Sequence, residues 1–150
     1  MDTPTTRSTP QSPTQSATQP TAQRVTRALV RAASNDGVLP YVKFHAMFER
    51  TVPLTERYRV LEVAVRTLAD VSSVDYGVLL ACDNGLPGPD FFQRFRRNRM
   101  REYAAVVGSS PLQNATMKQK RLIATAERAR VYEHARQSTE GARRAESACA

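Results

Sequence analysis

Little in this chain is equipped for covalent chemistry. Cysteine appears twice, as Cys82 inside an apolar run and Cys149 beside the C-terminus, which offers neither a disulfide framework nor a metal spacing. His45 and His134 lie far apart with no partner pattern, and His45, between Phe44 and Phe48, reads as a packed boundary residue. Asp83 and Asp90 flank a Gly-Pro turn, where turn and cap chemistry accounts for both without a metal. Gly85 and Gly88 lack the Lys-Ser/Thr that a phosphate loop needs, and Pro89-Asp90 lacks the acidic-x-Lys of a metal-dependent nuclease. No catalytic residue, metal or cofactor is expected, and the chain does not read as an enzyme. A run of about 18 apolar residues is missing, as is a basic start followed by an apolar core. Neither a membrane span nor a secretory signal is therefore expected, and a reducing cytoplasm is the predicted compartment.

What is present is positive charge, and it is unevenly placed. The net charge of +8 arises almost wholly between residues 91 and 136, where eleven Lys and Arg face three Glu. Residues 1–20, 21–90 and 137–150 each balance to zero. A solubility device would be spread along the chain, so concentrated charge points to a polyanion, nucleic acid being the commonest. An acidic protein partner and a plain solvated face are the competing explanations. The densest stretch is Asp90 to Val107, with five arginines in eight residues (Arg94, Arg96, Arg97, Arg99, Arg101). It is predicted to be one basic helix with Asp90 as N-cap and Gly108 as stop. Phe92, Phe95, Arg99 and Tyr103, with Phe91 and Met100 beside them, form the stripe that pins it to a core. Arg94, Arg97, Asn98 and Arg101 face away.

The length allows one domain with tails. Residues 1–20 are Thr, Ser, Pro and Gln with almost nothing to bury, and are predicted to be a disordered arm. Thr21 is a candidate N-cap for a first helix whose stripe is Val25, Ala28, Leu29, Ala32 and Ala33, ended by Asn35-Asp36-Gly37. Val38 to Tyr41 suits an edge strand or an extended lead-in, and Tyr41, Phe44, His45 and Phe48 recur at helical spacing. Thr55 is a candidate cap for a helix to about Leu68, with Tyr58, Leu61, Val65 and Leu68 buried and Arg59, Glu62, Val63 and Arg66 outward. Tyr76 to Cys82 is an apolar run of strand length, followed by an Asn84-Gly85 turn signal and a short hairpin over 83–91. Residues 108–111 form a hinge. From Leu112 to about Gln137 a helix with only a thin stripe (Met117, Leu122, Ile123, Ala126, Ala129, Tyr132) should need docking or a partner, and residues 138–150 should be a flexible tail.

This element order, mainly α with a small β-hairpin, is similar to a winged helix-turn-helix over residues 22–95, followed by a C-terminal helical extension. The run from Val78 to Phe91, carried by Gly85, Pro87, Gly88 and Phe91, resembles a segment of small winged-helix-like domains in largely uncharacterised bacterial and phage proteins. The resemblance implies that the Thr55 helix enters a major groove, with Arg57, Arg59 and Arg66 reaching phosphates or base edges. Equally, Glu56 and Glu62 cancel local charge, and Glu62–Arg66 is an i, i+4 pair, so this face also fits a solvated, salt-bridged surface. The chain departs from the pattern at residues 49–54, where the tight turn is lengthened, and in a proline-bearing wing without Lys or Arg.

The expected function is therefore nucleic-acid binding, DNA favoured over RNA, by a regulator or accessory factor of bacterial, phage or plasmid origin. Docking would be electrostatic, through Arg94, Arg97, Asn98, Arg101, Lys118, Lys120 and Arg121. Six or so phosphate contacts would weaken binding by roughly three decades between 50 and 200 mM salt. The alternative is a protein-interaction or assembly module: an inhibitor seated on an acidic partner through Leu122, Ile123 and Tyr132, or a self-assembling protein that packages nucleic acid. A homo-oligomer is compatible with either.

Overall fold

The computed structural model of the chain describes residues 13–110 and 114–148. Among these, six α-helices surround one buried segment: α1 Pro13–Ser34, α2 Tyr41–His45, α3 Leu54–Leu68, α4 Pro89–Asn98, α5 Met100–Val107 and α6 Met117–Ala148. Helix α1 begins well before Thr21, so residues 13–20 are helical rather than part of a disordered arm; residues 1–12 lie outside the described residues. Its stripe is as expected, with Val25, Leu29 and Ala33 buried. The end at Asn35–Gly37 is also as expected: the Gly37 N–H donates to the Ala32 carbonyl at 2.8 Å, and Asp36 takes the left-handed conformation at φ 50°.

The buried segment is Tyr76–Ala81, every residue of which is buried. It was expected as a strand with a following hairpin. Instead Tyr76–Leu79 is a 3-10 turn, and only Leu80–Ala81 is extended, as β2. The cause is Asp75, whose side chain accepts from the Gly77 N–H at 2.8 Å and winds the chain into a turn. Strand β2 pairs with β1, Leu39–Pro40, in parallel through Leu39–Leu80 and Pro40–Ala81. The tight turn at Asn84-Gly85 is present, with Gly85 at φ 82°, but it leads into α4 and no hairpin forms over 83–91. Cys82, expected inside a strand, is exposed.

Helix α3 starts at Leu54 after Pro53, with no side-chain cap from Thr55, and its buried face is Val60, Leu61, Ala64 and Val65. Arg57 holds the long connection before it: Nε donates to the Val52 carbonyl at 2.9 Å, Nη2 to the Glu49 carbonyl at 3.2 Å, and the guanidinium lies over Phe48. Helix α4 starts at Pro89, whose fixed φ and missing N–H suit a first helical position. Asp90 is not its N-cap; Oδ1 instead accepts from the Tyr41 hydroxyl at 2.7 Å, and that hydroxyl accepts from the Gly88 N–H at 2.8 Å. This pair fastens α2 to α4.

Helix α6 begins with a reciprocal cap, Thr116 Oγ1 accepting from the Gln119 N–H and Gln119 Oε1 from the Thr116 N–H. Its buried stripe is Ile123, Ala124, Glu127, Val131 and Ala135; of the expected stripe Ile123 is buried and Tyr132 partly buried, whereas Met117, Leu122, Ala126 and Ala129 are exposed. The helix docks on the same core as α1 and α3, and the backbone stays helical through Ala148, where a tail had been expected from 138. The hinge expected over 108–111 is described only through 110; residues 111–113 lie outside the described residues, as do 149–150. Each large apolar side chain buried in this cluster contributes about 1.5–3 kcal/mol relative to exposure.

Asp90 leaves one electrostatic debt inside the fold. Among the described residues its Oδ2 is the single buried side-chain polar atom without a hydrogen-bond partner. Burial pushes its carboxyl above the ordinary value, against the opposing Tyr41 hydrogen bond and Arg94 charge. A raised folded-state value favours the protonated form, so this stability is full below the unfolded value and is lost as pH rises through the folded one. Asp90→Asn cannot ionise. Its stability relative to the natural chain should climb from about pH 4 upward and then level off, in urea titrations across that range. A difference that stays constant from about pH 4 to pH 8 would refute the assignment.

Candidate nucleic-acid interface

The basic stretch is not one helix but two, hinged at Arg99, which takes φ −137° and ψ 54°. The break is one residue wide, since the Arg99 N–H still donates to Phe95 and its carbonyl still accepts from Tyr103. As expected, Phe92, Phe95, Arg99 and Tyr103 are buried, and Phe91 with them; Met100 is 66% exposed.

Arg94 is a correction of larger consequence. It was expected to face an anion, yet it is 4% exposed. Nε donates to Asp75 Oδ2 at 2.7 Å and Nη2 to Oδ1 at 2.9 Å, a two-pronged pair with a carboxylate that is itself fully buried. A Cβ on residue 77 would overlap the Arg94 guanidinium, so Gly77 is required by this close approach. Burial works against the Arg94 charge, but the Asp75 hydrogen bonds and charge outweigh it and its pKa moves up.

A second buried pair adjoins the first. Arg99 donates through both terminal nitrogens to Glu127 and through Nη2 to Glu102, with its guanidinium 4.6 Å from the Phe95 ring. Glu127 Oε2 also accepts from the Asp75 backbone N–H at 2.9 Å. Arg130 closes the outer side by bonding Glu102 and Glu127. One polar network thus runs from α4 through Asp75 to α6 and α5. Neither Asp75 nor Glu127 was singled out by sequence. The available signal was position: Arg94 is three residues from Phe91 on the buried arc of α4, and Glu127 lies four from both Ile123 and Val131.

The eleven cations of residues 91–136 can now be sorted. Arg94, Arg99, Arg128, Arg130 and Arg136 bond within the fold, Arg128 to the carbonyls of Val78, Leu80 and Gly85 and Arg136 to Asp36 and Glu133. Arg96 lies over Tyr103 at 5.2 Å and Lys120 over Phe92 at 5.5 Å, which brings the start of α6 against α4. Four remain: Arg97, Arg101, Lys118 and Arg121 are exposed and have no hydrogen bond or ion pair among the described residues. Asn98 does not reach outward either, its Nδ2 donating to the Arg94 carbonyl at 2.8 Å.

The α3 residues are engaged otherwise. Arg57 holds the 49–52 loop, Arg59 pairs with Glu56 at 3.3 Å, and Arg66 pairs with Glu62 at 3.2 Å. The salt-bridged surface is the geometry present on that face. His45 is half-buried among Tyr41, Phe44 and Tyr58 with Arg57 beside it, and burial followed by the Arg57 charge lowers its pKa. Among the described residues no group of His, Cys, Asp and Glu has a metal-holding arrangement, and no helix is long and apolar enough to cross a membrane. Comparison with known proteins gives no match to a family model, to a curated protein or to a solved structure, so the functional conclusion rests on this chain's own geometry.

Proposed function

We propose that the chain is a nucleic-acid-binding protein that docks on phosphates through the α4–α5 elbow and the first turns of α6. The observation that carries this is the sorting itself: every other cation of the basic segment has a partner or an aromatic face, and among the described residues Arg97, Arg101, Lys118 and Arg121 have none. Helix stability does not explain their placement. Lys118 sits in the first turn of α6, at the positive end of its dipole and with no acid in that turn, where a cation is unfavourable by about 0.3–1 kcal/mol. An anion bound there reverses that sign. Arginine on the elbow adds the planar fork that suits phosphate oxygens.

The protein-docking alternative loses two of its three expected anchors. Ile123 is buried in the chain's own core, and the Tyr132 hydroxyl donates to the Gly37 carbonyl at 2.9 Å, which leaves only Leu122 exposed.

The reading is tested by changing Arg97, Arg101, Lys118 and Arg121 together to Gln. Binding to a random duplex should weaken at least about tenfold, and its salt dependence should become shallower. Changing Arg59 and Arg66 to Gln should leave both quantities as they were. A quadruple variant that binds as tightly as the natural chain would refute this interface.

A further inference from the structure

A second basic surface lies on α1. Its 22 residues hold Arg24, Arg27 and Arg31 and not one acidic side chain. The three are exposed, stand at i, i+3 and i+7, and have no hydrogen bond or ion pair among the described residues. They line a shallow concavity of about 260 Å³ whose floor is Ala28 and Met47. Helix α3 shows how this fold builds an ordinary solvated face: Arg59 and Arg66 each carry a glutamate one turn before them. The α1 face omits that neutralisation. It was hidden in the sequence because Arg24, Arg27 and Arg31 are cancelled in the residue count by acids of α3 and the 70–90 segment that do not touch them.

We infer that Arg24, Arg27 and Arg31 form a second phosphate-binding surface, so that one chain bridges two nucleic-acid segments. This rests on the proposed nucleic-acid reading and extends it to a second ligand. The three arginines span about 10.5 Å of helix axis, a length along which a duplex lying parallel to it presents about three base-pair rises of roughly 3.4 Å. The two surfaces share no residue. The turn that ends helix α1 meets the far half of α6, at Asp36–Arg136, whereas the elbow meets its near half, at Phe92–Lys120 and Arg99–Glu127. From Arg121 to Arg136 is about 22 Å along the helix. The partner chemistry is a phosphodiester backbone, because the surface supplies guanidinium groups and no acceptor or aromatic platform for reading bases.

The test uses the full chain with one duplex fixed to beads and a second, fluorescent duplex in solution. The natural chain should bind the beads and retain the fluorescent duplex. Arg24, Arg27 and Arg31 changed together to Gln should keep bead binding through the elbow and lose at least about tenfold of the retained fluorescence. Circular dichroism of each variant checks that the helices persist. If the triple variant still bridges, the second duplex is held by self-association and the inference is overturned. It is equally overturned if the natural chain saturates the beads and captures nothing further. Should the elbow variant bind the beads at full strength while the α1 variant does not, the elbow reading fails and the α1 surface stands. No bead binding by the natural chain would overturn both.

Discussion

Changing Arg94 to Ala should lower folding stability by about 3–5 kcal/mol, because it strands a buried charge. Asp75 is fully buried, and Arg94 supplies the only cation that bonds its side chain among the described residues. The truncation also empties the volume of a large, 4% exposed side chain against Gly77. Arg97, three residues on and exposed, gives the control: Arg97→Ala should change stability by no more than about 0.5 kcal/mol. Urea unfolding of the three proteins separates these roles. An Arg94→Ala chain as stable as the natural one, but weakened in nucleic-acid binding, would return Arg94 to the ligand surface and contradict the buried network.

Changing Glu127 to Ala should be of similar size, about 3–5 kcal/mol, for a related reason. Arg99 would keep only Glu102, which is 46% exposed, and the Asp75 N–H would lose its acceptor. Glu127→Gln retains an oxygen for that N–H but no full charge for Arg99, and should lose less. The pair's own contribution is a different quantity. Exchanging both partners for apolar residues, Arg99→Met with Glu127→Leu, should give a chain more stable than Glu127→Ala, since no charge is left uncompensated. If the double exchange is the less stable of the two, the loss in Glu127→Ala does not come from a stranded charge. Thermal unfolding of the three variants decides it.

These two side chains also show where the sequence was legible and where it was not. Helix α1 was readable because its buried stripe, Val25, Leu29 and Ala33, is wholly apolar. The α3 stripe was readable in part: Leu61 and Val65 are buried as expected, and Val60 and Ala64 join them. Tyr76 to Cys82 was legible as an apolar run, of which Tyr76–Ala81 is buried, but its conformation depends on Asp75, whose carboxylate joins Arg94 across 19 residues and whose N–H joins Glu127 across 52. Propensity over a short window does not contain those partners. The same long-range pairing concealed Arg94, since charge alone places an arginine outside unless its acid is known. In α6 the exposed Leu122 outweighed Glu127 in the hydrophobic pattern, although Glu127 stands on the buried side. The concentration of charge was legible from composition; which cations remain free was not, because that is decided by the fold's internal hydrogen bonds.

The most direct measurement is the salt dependence of binding to a random duplex between 50 and 300 mM, on a chain with Arg24, Arg27 and Arg31 changed to Gln so that only the elbow surface acts. Four free cations, rather than the six or so contacts that the sequence implied, predict a log–log slope of about −3.6 and a loss of roughly two decades between 50 and 200 mM. Binding that is independent of salt, or no binding at 50 mM, would contradict the account.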